Sequence, residues 1–344
     1  MENPIELTTS SFMHHRILYH IITTLICLPF IGFTQEDQPD HIGQPAGPPV
    51  EYEQYEGKIE RGKLYLIEAN ADNGFYWPYF LTIPDTVVTG NPLYVQPNND
   101  GRPGAPYQTH LYWAGLFAEQ SRHDHSQQLN AIGLIPVFPR PALDNGENNL
   151  YVHALTRDVL LEEADSLRRI DLQLIAMIDD VRSKLPELEI PRDVLFYGFS
   201  AAGDFVSRMA ALHPERVKAV AAGGLGGFPI LPLGTLAGSK LTYPVGTHDM
   251  ERLAGAPFDS IAFLQTPCLF FQGSLDDNDS VPEDIEWEDR DFESDSYSMS
   301  QTYFINGIFG SDPVKRVAKV TRIYNVVGMD DFKYAIVSEI GHTT

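Results

Sequence analysis

The sequence predicts an α/β fold: a mostly parallel, twisted sheet with helices on both faces and a loop-rich insertion at the site. Three observations predict it. From Leu93 onward, apolar strand-like runs alternate with helical stretches, the order that gives a parallel sheet with helical crossovers. The runs Leu134–Phe138, Val194–Tyr197, Val217–Ala222 and Cys268–Gln272 are short and mainly apolar, as buried strands are. The chain of 344 residues is 43% hydrophobic, enough for one sizeable core.

The N-terminal part stands outside that pattern. Residues 13–34 carry a basic start at Arg16, an apolar stretch from Ile21 to Phe33, and small residues at Gly32 and Thr34. This predicts a secretory signal peptide over residues 1–34, cleaved after Thr34. Residues 1–12 fit the pattern poorly, which points to Met13 as the true start. The apolar run falls short of the ~20 residues that a membrane span needs. Cys27 lacks small residues before it and does not read as a lipid-modified cysteine. Its removal leaves Cys268, so the mature chain has no intrachain disulfide and no thiolate cluster. Residues 35–50 are rich in Gly and Pro and predict a flexible linker, with one catalytic domain over 51–344.

The remaining elements follow in order. Lys58–Ala69 and Tyr76–Ile83 predict two edge strands joined by the turn residues Asn70 to Gly74. Leu93–Gln96 predicts the next strand, running into Pro97-Asn98-Asn99-Asp100-Gly101. Tyr107 to Leu129 is mixed; its His123-x-His125 pair lacks a third ligand at helical spacing and predicts a solvated polar face. Ala142 to Tyr151 predicts a polar loop at the mouth of a site. Leu160–Leu185 predicts one long helix, with Asp171 and Arg168 on its solvated flank. Val217–Ala222 runs into a Gly-rich loop that no helix follows, so it is not a dinucleotide loop. Residues 228–265 predict an insertion, partly a lid or substrate wall. Asp276 to Asp295 is strongly acidic, lacks the glycine of a calcium loop, and predicts a solvated surface. Pro313–Val327 predicts the last helix and Tyr334–Val337 the last strand. A net charge of −23 argues against nucleic acid and anionic membranes as partners.

The stretch with most chemistry is Val194 to Gly203, VLFYGFSAAG. An apolar strand ends at Gly198, and a helical pattern begins at Ala201 with Phe205, Met209 and Leu212 on one face. Ser200 thus stands at a strand–turn–helix apex, the geometry of a nucleophile elbow. The small residues Gly198 and Ala202 leave room for a tight turn, although the last position of G-x-S-x-G is here alanine. The other reading is that Ser200 only caps the helix. Downstream, Asp276 and Asp277 follow a strand end, and Gly341-His342 follows another. Three strand ends therefore supply a serine, an acid and a histidine in that order.

These residues resemble the α/β-hydrolase family, and within it secreted polyhydroxybutyrate-depolymerase-like esterases. The resemblance spans roughly residues 51–342 and rests on the elbow, the G-x-x-D turn from Gly273 and the terminal Gly-His. It implies Ser200 as nucleophile, His342 as base and Asp276, three residues after Gly273, as the orienting acid. Val281-Pro282 sits two residues later than in the family, so Asp277 is the second choice and Asp279 a distant third. The resemblance also implies an oxyanion hole from the backbone N–H groups of Ala201 and Asn99, where P-N-N-D-G replaces the usual H-G-G. It implies hydrolysis of a small-molecule or polymeric ester without cofactor or metal. A serine peptidase of the same fold, or a silent binding protein on it, are the alternatives.

Overall fold

A computed structural model of the chain describes residues 50–99, 103–143, 148–281 and 296–342. Within them the apolar runs become one sheet of nine strands. These are β1 (Glu53–Gln54), β2 (Leu64–Ile67), β3 (Tyr79–Thr82), β4 (Tyr94–Val95), β5 (Gly133–Pro136), β6 (Val194–Phe199), β7 (Val217–Gly223), β8 (Cys268–Gly273) and β9 (Phe332–Val337). Their order is β1-β2-β3-β5-β4-β6-β7-β8-β9. β3 pairs antiparallel with both neighbours, and every other pairing is parallel. After β5 the chain crosses over β4 to reach β6, so the direction of sheet growth reverses at β4. Loops leaving β4 and β6 then diverge, which opens a crevice at their carboxyl ends.

Side chains alternate between two packed faces. Leu64 and Leu66 of β2 meet Ala114 and Ala118 of α1 (Tyr107–His123) on one side. Tyr65 and Ile67 point into the larger core on the other. That core takes in α3 (Arg157–Leu161), α4 (Ile170–Lys184), α5 (Ala201–Leu212) and α9 (Pro313–Val327), the short α2 (His125–Leu129) lying after α1. Strands buried on both faces explain why their sequences are apolar without alternation. α5 is the central helix: all twelve of its residues are buried. Phe205 and Met209 are fully covered, and each such side chain contributes about 1.5–3 kcal/mol.

Several expectations change. The helix expected over Leu160–Leu185 is two, α3 and α4, parted where Glu162 is extended and Arg169 is left-handed at φ 49°. Local and distant contacts both hold the break: the Glu162 carboxylate accepts from Glu163 and Ala164 N–H at 2.8 Å each. Arg169 turns its guanidinium onto Asp171 (Nε–Oδ1 3.0 Å, Nη2–Oδ2 2.7 Å) and onto the Ala254 carbonyl. Asp171 is therefore buried rather than on a solvated flank, with Arg169 and His213 as its partners. Burial pulls its carboxyl up, but hydrogen bonds from His213 and Arg169 outweigh that and hold it down at about 2. His125 is not on a solvated face: its ring stacks on Tyr94 at 5.2 Å, and burial pushes it down to about 4. β2 and β3 are interior, not edge strands. The insertion over 228–265 holds a two-stranded hairpin and the short α6 (Met250–Ala254) and α7 (Ser260–Gln265). A helix that sequence reading passed over, α8 (Met299–Phe309), precedes α9 and starts with a capping box at Ser298. The expected signal peptide and most of the linker (1–49), the Asp100-Gly101 turn, the loop tip at 144–147 and most of the acidic run (282–295) lie outside the described residues. No described helix is long and apolar enough to cross a membrane.

Candidate active site

Ser200 occupies the link between β6 and α5 with φ 58° and ψ −128°. Such a backbone is strained for a residue with a side chain. The turn holds because its backbone is tied on both sides. Ser200 N–H donates to the Gly223 carbonyl of β7 at 2.9 Å, and Asp204 N–H donates to the Ser200 carbonyl at 3.1 Å. Although Ser200 is the N-cap of α5, its side chain makes no capping hydrogen bond. The hydroxyl is left free of the capping role. Gly198 is obligatory here: a Cβ would stand 2.1 Å from the Ala202 carbonyl oxygen. Ala202 fits its methyl without difficulty. The second close approach falls one residue later, where a Cβ on Gly203 would meet the Gly223 oxygen at 2.7 Å.

The acid and the histidine meet through a third close approach. Gly273 ends β8 where the loop carrying His342 passes over it. A Cβ there would lie 2.1 Å from the Ile340 oxygen and 2.4 Å from that of Gly341. Leu275 N–H donates to the Ile340 carbonyl at 2.9 Å, tying the two loops. Asp276 is thereby buried against the imidazole, with His342 Nδ1 at 3.0 Å from Oδ1 and 3.2 Å from Oδ2. Asp277 is exposed. Asp279 is claimed by the fully buried Arg316, which reaches both its carboxylate oxygens at 2.8 Å. Of the three candidate acids, Asp276 is the one in contact with His342. The ring of Phe199, next to Ser200, lies 5.0 Å from that of His342 and brings the imidazole beside the serine turn.

On the other side of the crevice, Asn98 is buried and clamps β4 to β5. Its amide donates to the Phe138 carbonyl at 2.9 Å and its oxygen accepts from Phe138 N–H at 3.0 Å. Asn99 reaches the nucleophile turn, with Nδ2 3.3 Å from the Phe199 carbonyl. The N–H of Ala201, at the first position of α5, has no acceptor within its helix. Ala201 thus directly follows Ser200, and Asn99 reaches the serine turn through its side chain.

Sequence reading missed two polar groups at the site. Asn278 donates from Nδ2 to His342 Nε2 at 2.7 Å. Asp204, one turn into α5, is buried with a carboxyl that burial pushes up to about 6, against the pull of Arg208. The sequence held a faint signal for Asp204, an aspartate on a helix with small and apolar neighbours. It held none for Asn278, whose partner is 64 residues away.

No protein-family model and no curated protein matches the chain. Solved structures do. A poly(aspartic acid) hydrolase from Sphingomonas sp. KT-1 matches with a TM-score of 0.52 at 18% identity, over 78% of this chain and 90% of that one. A poly(3-hydroxybutyrate) depolymerase from Bordetella parapertussis matches with a TM-score of 0.48 at 18% identity, over 83% of this chain and 86% of that one. At such identities the likeness concerns fold. A mostly parallel nine-stranded sheet flanked by helices, and the likeness to the first of these structures, give the chain the α/β-hydrolase fold.

Proposed function

We propose that the protein is a secreted serine hydrolase that cleaves carboxylic esters through Ser200, His342 and Asp276. The observation that carries this reading is the contact of buried Asp276 with half-buried His342, beside a serine held at φ 58° with its hydroxyl free of any capping bond. In this mechanism Ser200 Oγ attacks the ester carbonyl as its proton passes to His342 Nε2. Asp276 holds the proton on Nδ1, which keeps Nε2 available and stabilises the imidazolium that forms. The backbone N–H groups of Ala201 and Asn99 face the charge that develops on the carbonyl oxygen. His342 then returns the proton to the leaving alcohol, and water releases the acid from the acyl-serine. The chemistry asks for no cofactor or metal. The proposed organisation is a signal peptide over 1–34, a linker over 35–50 and the catalytic domain over 51–344.

A fluorophosphonate probe tests the reading directly. It should label the mature protein and fail to label Ser200→Ala, which should stay folded and lose ester turnover. Labelling that survives in Ser200→Ala would sink the assignment. A panel of nitrophenyl esters, peptide anilides and polymers, poly(aspartic acid) among them because a hydrolase of that polymer shares the fold, separates an esterase from a peptidase. Silence on the whole panel with no labelling is the outcome for a binding protein.

A further inference from the structure

Asn278 lies on the stretch that separates Asp276 from Asp279, and the mechanism above gives it no part. The Asp276 carboxylate accepts at Nδ1 of His342, so the neutral imidazole presents a lone pair at Nε2. The Asn278 amide, 2.7 Å away, is then the donor to that lone pair. It is the same lone pair that must receive the serine proton. A ring nitrogen has one, and it takes one donor in good geometry. Among the described residues no hydrogen bond joins Ser200 to His342.

We propose that Asn278 is an internal competitor of Ser200: its carboxamide occupies His342 Nε2 in the resting protein and swings aside before proton transfer. This rests on the reading of Ser200 and His342 as nucleophile and base. The loop is built so that the side chain moves while the backbone stays. Asn278 N–H donates to Asp276 Oδ1 at 3.1 Å. On its other side Asp279 is gripped by Arg316, and Ser280 N–H donates to the Gly226 carbonyl. The carboxamide itself is held, among the described residues, by the bond to His342 alone. Gly226 leaves space beside it, since a Cβ there would still lie 3.9 Å from Nδ2. Once the carboxamide leaves, Ser200 O–H can donate to Nε2. Its proton then moves to the imidazole as the bond from Oγ to the carbonyl carbon forms, and His342 passes it on to the departing alkoxide. The expected effect is modest, because one neutral donor replaces another. Removing a competitor worth one net hydrogen bond raises the rate about fivefold, which is about 1 kcal/mol at 1.36 kcal/mol per tenfold.

The experiment measures fluorophosphonate labelling and ester turnover for the wild-type protein, Asn278→Ala and Asn278→Ser. The Ser variant keeps a small polar side chain on the loop and reads the same change should the Ala variant fold poorly. In parallel, the His342 Nε2 resonance is recorded on ¹⁵N-histidine protein for these three and for Ser200→Ala. Labelling should accelerate about fivefold in both Asn278 variants. The Nε2 resonance should move in them and stay in place in Ser200→Ala. Unchanged or slower labelling with an unmoved resonance overturns the proposal, as does a resonance that moves with Ser200→Ala instead. A protein that no probe labels refutes the nucleophile reading, and the Nε2 resonance still decides whether Asn278 holds His342.

Discussion

Asp204→Asn is the perturbation whose size follows most directly from the structure. Asp204 is 4% exposed and lies one turn from Ser200, facing the charges of Arg208, Asp279 and His342. Burial is the largest influence on its carboxyl and lifts it to about 6; Arg208 pulls it down and Asp279 pushes it further up. An aspartate in the unfolded chain titrates near ~3.9. Between ~3.9 and about 6, the folded protein holds a proton that the unfolded chain has lost. Stability therefore falls as pH rises through that window, and the loss is complete above pH ~7. A gap of about two pH units, at about 1.36 kcal/mol each, is about 3 kcal/mol. Asparagine cannot ionise and escapes this loss. Urea unfolding of both proteins at pH 4, 6 and 8 measures it, with every other titrating group shared between them. Relative to the wild type, Asp204→Asn should gain about 2 kcal/mol between pH 4 and pH 8, most of it below pH ~7, the rest of the loss lying below pH ~4. A stability difference that is the same at all three values would refute the burial argument. So would one that grows toward acid, which would mean a carboxylate stabilised by Arg208.

Three further substitutions test the site. Asp276→Asn should leave the fold intact and cost on the order of 10⁴ in kcat through the wrong imidazole tautomer. Asp277→Asn should stay near wild type on the same ester, and the reverse pattern would move the acid to Asp277. Gly198→Ala should abolish fluorophosphonate labelling and destabilise the domain by ~2 kcal/mol or more, because its methyl would press on backbone rather than on a movable side chain. A Gly198→Ala protein with normal stability and labelling would show that the turn can open.

What the sequence determined by itself is what contiguous residues determine. The strand, glycine, serine and helix of the elbow are neighbours in the chain, and their pattern was legible down to the apex residue. The same holds for α9, where Asp312 accepts from Lys315 N–H, Pro313 opens the helix and Gly328 ends it in the left-handed region. The alternation of strands and helices from Leu93 onward carried the fold class for the same reason. What only the tertiary structure decided concerns groups whose partners are far along the chain. The spacing from Gly273 ranked Asp276 above Asp277 and Asp279 without separating them. The first faces His342 because Gly273 lets the two loops cross, and Arg316 takes Asp279 out of contention. The turn at Arg169 between α3 and α4 is held in part by the distant Ala254 carbonyl, against a helical pattern that read as unbroken. The contact of Asn278 with His342 and the raised carboxyl of Asp204 have the same origin. Hydrogen bonding and burial depend on which segments are brought together, and a side chain's neighbours in sequence carry no record of that.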